Sequence, residues 1–587
     1  MTTVRFLLIL LSFFAGGLIC FSIAPFNYWI LGILSIALFN LALFSQAGKA
    51  PRYFWNSFFY GLGLFGFSVS WVYVSMTRYG GASPLLAFIM TGGFVAFLSL
   101  VYALPLAAYG KLLSRKQPGV LSARQQWLQQ VLGFSAVLVV GDWLRGWLLT
   151  GFPWAYIGYG HIGSALAGWA PVGGVLTINF IVYFIAASGT YLLKALYSKR
   201  GQASTTDLNQ KTEYVLTGDP GDTFVKLTQT RSSVPIGIAT LVVSLGFFIG
   251  GAALKAVSYT KPYGETKAVV LIQPNIPQEY KWQQAYDEFI TDRLFELTFM
   301  EDQSTPPDII LWPEAALPGF YSESQDVFNE VHKRSLINAA NDSQLSPNLV
   351  TGVLFDDRNA YRYYNALVVA GPDTRRTSST ATQSTATFSS RASEDPSGLS
   401  QNHSLYYKQR LVPFGEYVPL EAQLRGLIDF FNLPRSYISR GPLVSEPLVL
   451  QNILIAPSVC YEIAYPDLVA KLAKDAHILV TISNDAWFGR SIAANQHYQM
   501  ASMRALEHQK PLLRATNTGI TGIVNYRGES LRELPLFKPD RLEGVIQPRK
   551  GNTLFSRTGS RIILLLCGLS LLLVFFTRHP MDGTERD

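Results

Sequence analysis

The sequence predicts two kinds of structure in one chain: a multi-pass α-helical membrane domain of about eight helices and an α/β domain. Three observations predict this. Hydrophobic residues make up 49% of the 587 and charged residues only 15%, against roughly 25% charged in soluble domains. Apolar runs near the ~20 residues that a bilayer needs recur through the first 260 positions and once more near the end. Between them, short apolar strands alternate with helical stretches, the pattern of a sheet covered by helices. The net charge of +8 fits the basic loops of a membrane protein better than a nucleic-acid partner.

Apolar runs at 6–21, 29–44, 54–76, 85–109, 128–149, 165–196 and 236–257 predict seven spans, and 562–576 an eighth. The first reads as a retained helix, because another span follows at once and large residues precede Cys20. Lys49 and Arg52 follow the second run. Lys111, Arg115, Lys116 and Arg124 follow the fourth, and Lys199, Arg200, Lys211, Lys226 and Arg231 the sixth; the intervening loops hold only Arg78. Positive charge stays inside, so the N-terminus is expected in the cytoplasm and the stretch from Lys261 to Arg561 on the far side. This gives a seven-span bundle over 1–260, an extracytoplasmic domain over 261–555, and a closing helix with tail over 556–587. Asp142 and Arg145 fall on one face of the fifth span and read as a mutually neutralising pair near its end.

Within 261–555, strands are expected at 269–273, 309–312, 348–354, 366–370, 448–459, 478–482, 512–516 and 522–526. Helices are expected at 289–300, 327–341, 465–474 and 496–508. The Ser/Thr-rich stretch 373–404 cannot bury a core and reads as a disordered insertion.

Three positions just after strands carry reactive side chains: Glu314, Lys408 (with Glu416 eight residues on) and Cys460. Singly, each reads as an ordinary loop or core residue. Together they supply covalent acyl transfer with a nucleophilic thiol, a carboxylate base and an ammonium facing the oxyanion. Cys20 and Cys567 lie in apolar runs, and no paired spacing suggests a disulfide or metal cluster.

Glu, Lys and Cys in that chain order resemble the nitrilase (carbon–nitrogen hydrolase) superfamily. Longer motifs are similar to the apolipoprotein N-acyltransferase family: Trp312-Pro-Glu-Ala-Ala-Leu-Pro318, Tyr407-Lys-Gln-Arg-Leu-Val-Pro-Phe-Gly-Glu-Tyr-Val-Pro-Leu420, Cys460-Tyr-Glu462, Ser483-Asn-Asp-Ala-Trp-Phe-Gly489 and Arg514-Ala-Thr-Asn-Thr-Gly-Ile-Thr521. The resemblance implies a nitrilase-type αββα sandwich outside a bacterial inner membrane. It implies Cys460 as nucleophile, Glu314 as base and Lys408 as oxyanion stabiliser, supported by Glu416, Tyr461 and Glu462. Trp282, Trp487 and Phe488 match positions near the substrate. The implied partners are the membrane, a phospholipid acyl donor (phosphatidylethanolamine) and a diacylated apolipoprotein acceptor, with no metal or cofactor. The departure from the family pattern is the long insertion before Lys408.

A membrane-tethered amidase or nitrilase-type hydrolase would use the same residues and pass its acyl group to water. A transporter would need polar residues or broken helices at mid-membrane, where only Asp142 and Arg145 qualify, and these read as peripheral. A purely structural or binding role leaves the three reactive residues without a purpose.

Overall fold

The computed structural model describes residues 3–45, 50–114, 121–203, 233–300, 306–339, 347–371, 403–413, 415–417, 438–443 and 446–578. The insertion expected at 373–404 therefore lies outside the described residues, apart from His403 and Ser404, which open a strand. The loop over 204–232 also lies outside them. The chain forms two compact units. One comprises Met1–Val257, Arg490–Gln499 and Thr558–Asp587, the other Ser258–Gly489 and Met500–Arg557.

The first unit is helical. Among the described residues, five helices are long and apolar enough to cross a membrane: Thr3–Ser22, Pro84–Leu113, Ala123–Arg145, Ala165–Tyr197 and Ser233–Lys255. Pro51–Ser68 and Trp71–Arg78 form a sixth, bent by 54°, so the expected run 54–76 is broken rather than continuous. Trp29–Phe44 and Arg561–Thr577 are apolar but shorter. Small residues let the helices approach closely. A Cβ on Gly16 would stand 2.0 Å from the Tyr60 carbonyl oxygen, and one on Gly63 1.9 Å from that of Phe13.

Two further spans depart from the expectation. The fifth contains a π-helical segment, Leu128–Gly133, and its α-helix ends at Arg145 rather than 149. The sixth opens as a 3-10 turn, Ala165–Trp169, and is irregular at Gly173 and Gly174. Asp142 and Arg145 do pair, at 3.2 Å, but they are buried rather than peripheral. Asp142 also accepts from Asn179 and Tyr183, and Arg145 donates to the carbonyls of Phe152 and Trp154. Every charge there is answered inside the bundle, the condition for burying an ion pair.

Among the described residues, the second unit holds two six-stranded mixed sheets. One runs Asp540–Ile546, Lys267–Gln273, Ile309–Leu311, Asn348–Asp357, Arg362–Ala370, His403–Tyr407. The other runs Ser530–Glu533, Gly522–Val524, Leu512–Thr516, Ile478–Ser483, Ile453–Val459, Leu448–Leu450. Three neighbouring strands of each are parallel and the flanking pairs antiparallel. Strands covered on both faces read as unbroken apolar runs, as Ile478–Ser483 does with all six residues buried.

The sheets meet face to face: a Cβ on Gly544 would stand 2.4 Å from Ile523 Cδ1. On the outer side of the first, Asp287–Thr298 and Gln325–Ala339 bury Ile290, Leu294, Phe328 and Val331 against Val270, Ile310, Val353 and Val368. Pro466–Ala473 packs on Ile453–Val459 of the second. The layers are helix, sheet, sheet, helix.

The single strand expected at 448–459 is a hairpin, turning where Gln451 takes φ 50°. Strands Thr260–Pro262, Ser530–Glu533, Asp540–Ile546 and Arg549–Gly551 carry no apolar alternation and were not predicted.

Candidate active site

The parallel strands deliver their side chains at their carboxyl ends, where open α/β sheets place their ligands. Ile309–Leu311 leads through Trp312 and Pro313 to Glu314. Ile453–Val459 ends at Cys460, and Ile478–Ser483 at Asn484. His403–Tyr407 runs directly into Lys408.

Lys408 Nζ lies 3.2 Å from Glu314 Oε1 and 2.9 Å from Glu416 Oε1, with its side chain 1% exposed. Asn365 Nδ2 donates to the same two oxygens, at 2.8 and 2.9 Å. The other oxygen of each carboxylate is also held. Asn484 N–H donates to Glu314 Oε2 at 2.7 Å, and Val412 N–H to Glu416 Oε2 at 2.8 Å. Burial works against a Glu314 carboxylate, but Lys408 and these donors outweigh it and hold its pKa below the ordinary 4.5. Burial also works against the Lys408 ammonium, and Glu314 and Glu416 outweigh that in turn, so its pKa is raised.

Cys460 is buried and takes φ 53°. A positive φ is rare outside glycine, and such strain persists only where the surroundings impose it. Burial pushes the thiol's pKa up and Glu314 pushes it further, while Lys408 pulls it down. The charges of Glu314 and Lys408 thus both reach the thiol, with opposite effect.

Glu462 fixes the turn that carries Cys460. It is fully buried and accepts from the backbone N–H groups of Val459, Gln409 and Arg410 and from the Tyr406 hydroxyl. The Cys460 strand end and the Lys408 loop are thereby bound to one carboxylate. Burial raises its pKa to about 7 against the pull of these N–H groups and Lys408. Tyr461 is buried beside Cys460, its ring edge-on to Tyr465 at 5.2 Å. Trp282 and Trp487 are 51% and 41% exposed, and Phe488 is half-buried.

Two residues at this site escaped the sequence reading. Asn365 bridges both carboxylates from a strand position paired with Leu354; a lone Asn in the run Tyr-Tyr-Asn-Ala-Leu-Val-Val was its only signal. Lys281, buried, donates to the carbonyls of Ala315 at 2.9 Å and Glu314 at 3.4 Å. Burial lowers its pKa to about 8, against the pull of Glu314. It ties the Trp282 loop to the Glu314 turn.

Gly352 makes room for that turn. A Cβ there would stand 2.6 Å from Glu314 Cα, 2.7 Å from Ala315 N and 2.8 Å from Ile482 Cδ1. Backbone lies on one side and the facing sheet on the other, so neither yields easily. Gly352→Ala is expected to cost about 1–3 kcal/mol, the usual cost of overpacking, and to displace Glu314. Thermal unfolding alongside an activity assay checks both effects.

Two stacked mixed sheets with an acid, an amine and a thiol at their strand ends define a carbon–nitrogen hydrolase domain, and the model of that family matches residues 277–536. The model of the apolipoprotein N-acyltransferase N-terminal domain matches residues 15–188. Relatives named apolipoprotein N-acyltransferase align along nearly the whole chain. That of Pseudomonas putida is 34% identical, covering 96% of this chain and 95% of its own. That of Pseudomonas aeruginosa is 35% identical over 98% and 97%, and that of Photobacterium profundum 33% over 99% and 96%. The chain belongs to the apolipoprotein N-acyltransferase family.

Proposed function

We propose that this protein moves a fatty acyl chain from a membrane phospholipid to the N-terminal amine of a diacylated apolipoprotein, through a thioester on Cys460. The names of its relatives support the overall reaction. The observation that carries the mechanism is Cys460, held at a strained strand end within electrostatic reach of the ion pair Glu314 and Lys408.

Glu314 takes the thiol proton, and the sulfur attacks the sn-1 ester carbonyl of the donor, phosphatidylethanolamine. The C–S bond forms, the ester C–O bond breaks, and lysophospholipid leaves as the alcohol with the proton held by Glu314. The free α-amino group of the diacylglyceryl-cysteine then attacks the thioester. The C–N bond forms, the C–S bond breaks, and the amine's proton passes through Glu314 or Glu416 to restore the thiol. Lys408 faces the oxyanion in both steps. Glu462 and Tyr461 hold the Cys460 turn, while Trp282, Trp487 and Phe488 offer aromatic surface to acyl chains.

In this reading residues 261–555 form the catalytic domain on the periplasmic side of the inner membrane, and the spans keep both lipid substrates at the bilayer. Wild type and Cys460→Ala are each given phosphatidylethanolamine labelled in its sn-1 chain, with a diacylated lipopeptide. Label is expected as an amide on the lipopeptide with wild type only. Label released as free fatty acid would establish the tethered hydrolase instead. Amide formed by Cys460→Ala would remove Cys460 from the reaction.

A further inference from the structure

The motifs at Ser483–Gly489 and Arg514–Thr521 hold a buried row of polar groups for which the mechanism above has no use. Strands Ile453–Val459 and Ile478–Ser483 are parallel, with Val459 paired to Ile482. The next residues along, Cys460 and Ser483, therefore stand side by side at the strand ends. Ser483 is fully buried. Its hydroxyl donates to Asp485 Oδ1 at 2.6 Å and lies within hydrogen-bonding reach of the Cys460 sulfur, a contact that favours the thiolate. Asp485 is fixed in turn by Arg514, whose Nη2 lies 2.8 Å from Oδ2, with both side chains wholly buried. A Cβ on Gly519 would stand 2.3 Å from that same oxygen, so the carboxylate is closely enclosed. Asn517 N–H donates to the Ser483 carbonyl at 3.1 Å and fixes the backbone.

We infer that Ser483 is a further catalytic residue, a hydroxyl that turns from Asp485 to the sulfur of Cys460 when the thiol ionises. A hydroxyl has one proton and here two partners that want it. While Cys460 is a thiol, the anion is Asp485, and the proton faces it. Once Glu314 has taken the thiol proton, the sulfur carries a new negative charge that competes for the hydroxyl, while Arg514 still answers Asp485. The O–H bond rotates and no proton changes owner. When the thioester forms, the sulfur loses its charge and the hydroxyl returns to Asp485. Among the described residues, the charged groups facing Cys460 are Glu314 and Asp485, which oppose the thiolate, and Lys408, which favours it. Glu416 is bound to Lys408 and Arg514 to Asp485. Ser483 is thus the neutral donor in a setting where one ammonium works against two carboxylates.

This rests on Cys460 being the nucleophile, and the test separates the two claims. Ser483→Ala removes one oxygen and is expected to fold, which thermal melting of the same detergent preparation verifies. Iodoacetamide labelling of Cys460 is followed by intact mass across pH in wild type and Ser483→Ala, with Cys460→Ala as blank. Hydrogen bonds to charged groups are strong enough that the variant should label about tenfold more slowly at a given pH, with its profile displaced to higher pH. The rate of acyl-enzyme formation should fall by a similar factor, with KM for phospholipid unchanged. A variant with the wild-type profile and acylation rate would overturn the inference while leaving Cys460 as nucleophile. A wild-type Cys460 that resists labelling at every pH would overturn both.

Discussion

Lys408→Met is expected to lower the acylation rate by at least about 10²–10³, the usual cost of losing one donor to a developing oxyanion. The structure gives a second reason for a large effect. Glu314 Oε1 and Glu416 Oε1 share the Lys408 ammonium and the Asn365 amide. Without the cation, the buried Glu314 and the partly exposed Glu416 share one neutral amide at those oxygens, and the buried Glu314 takes up a proton. Glu314, now held below the ordinary carboxylate range by Lys408, would then cease to be a base at neutral pH. A carboxyl with a depressed pKa contributes stability above 4.5, lost as pH falls through the folded value. Lys408→Met removes that contribution at neutral pH. Breaking a buried pair costs roughly 3–5 kcal/mol, so the melting temperature should fall together with activity. A variant that melts like wild type would show that the carboxylates find another partner.

Glu462→Ala is expected to damage the site without touching a reacting atom. Removing the carboxylate leaves the N–H groups of Val459, Gln409 and Arg410 and the Tyr406 hydroxyl facing a void. Each unsatisfied buried donor costs about 1–3 kcal/mol, so a loss of several kcal/mol is expected. Glu462→Gln should recover only part of it, since its amide would turn N–H toward N–H. Both variants should also slow Cys460 acylation, because Glu462 binds the Cys460 turn to the Lys408 loop. Thermal unfolding and acylation rate, measured on one preparation, check the pair of effects. A Gln variant equal to wild type in both would show that the carboxylate is not required.

The spans and the buried central strands were legible because covered strands and membrane helices both write themselves as apolar runs. What lay outside that signal lay outside the reading. Ser530–Glu533 is exposed along its whole length and reads as a loop. Leu448–Val459 reads as one strand because nothing in Leu-Gln-Asn-Ile demands a turn, yet Gln451 takes a positive φ there. The broken third span contains neither Gly nor Pro at its bend, Val69 and Ser70. At the site, Glu314, Lys408 and Cys460 could be picked out because each follows an apolar run and bears a reactive group. Asn365 and Lys281 could not. Asn365 bridges two carboxylates 51 residues away on either side, and strand register, not local sequence, brings them together. Lys281 bonds backbone carbonyls, which any sequence has.

Whether Cys460 carries the acyl group is read from the intact mass of wild type and Cys460→Ala after incubation with phospholipid in detergent. The mechanism predicts one fatty-acyl increment on wild type alone, mapped to Cys460 and discharged by a diacylated lipopeptide with a free amine. An acyl increment on both proteins, or lipopeptide acylation with no increment at Cys460, would contradict it.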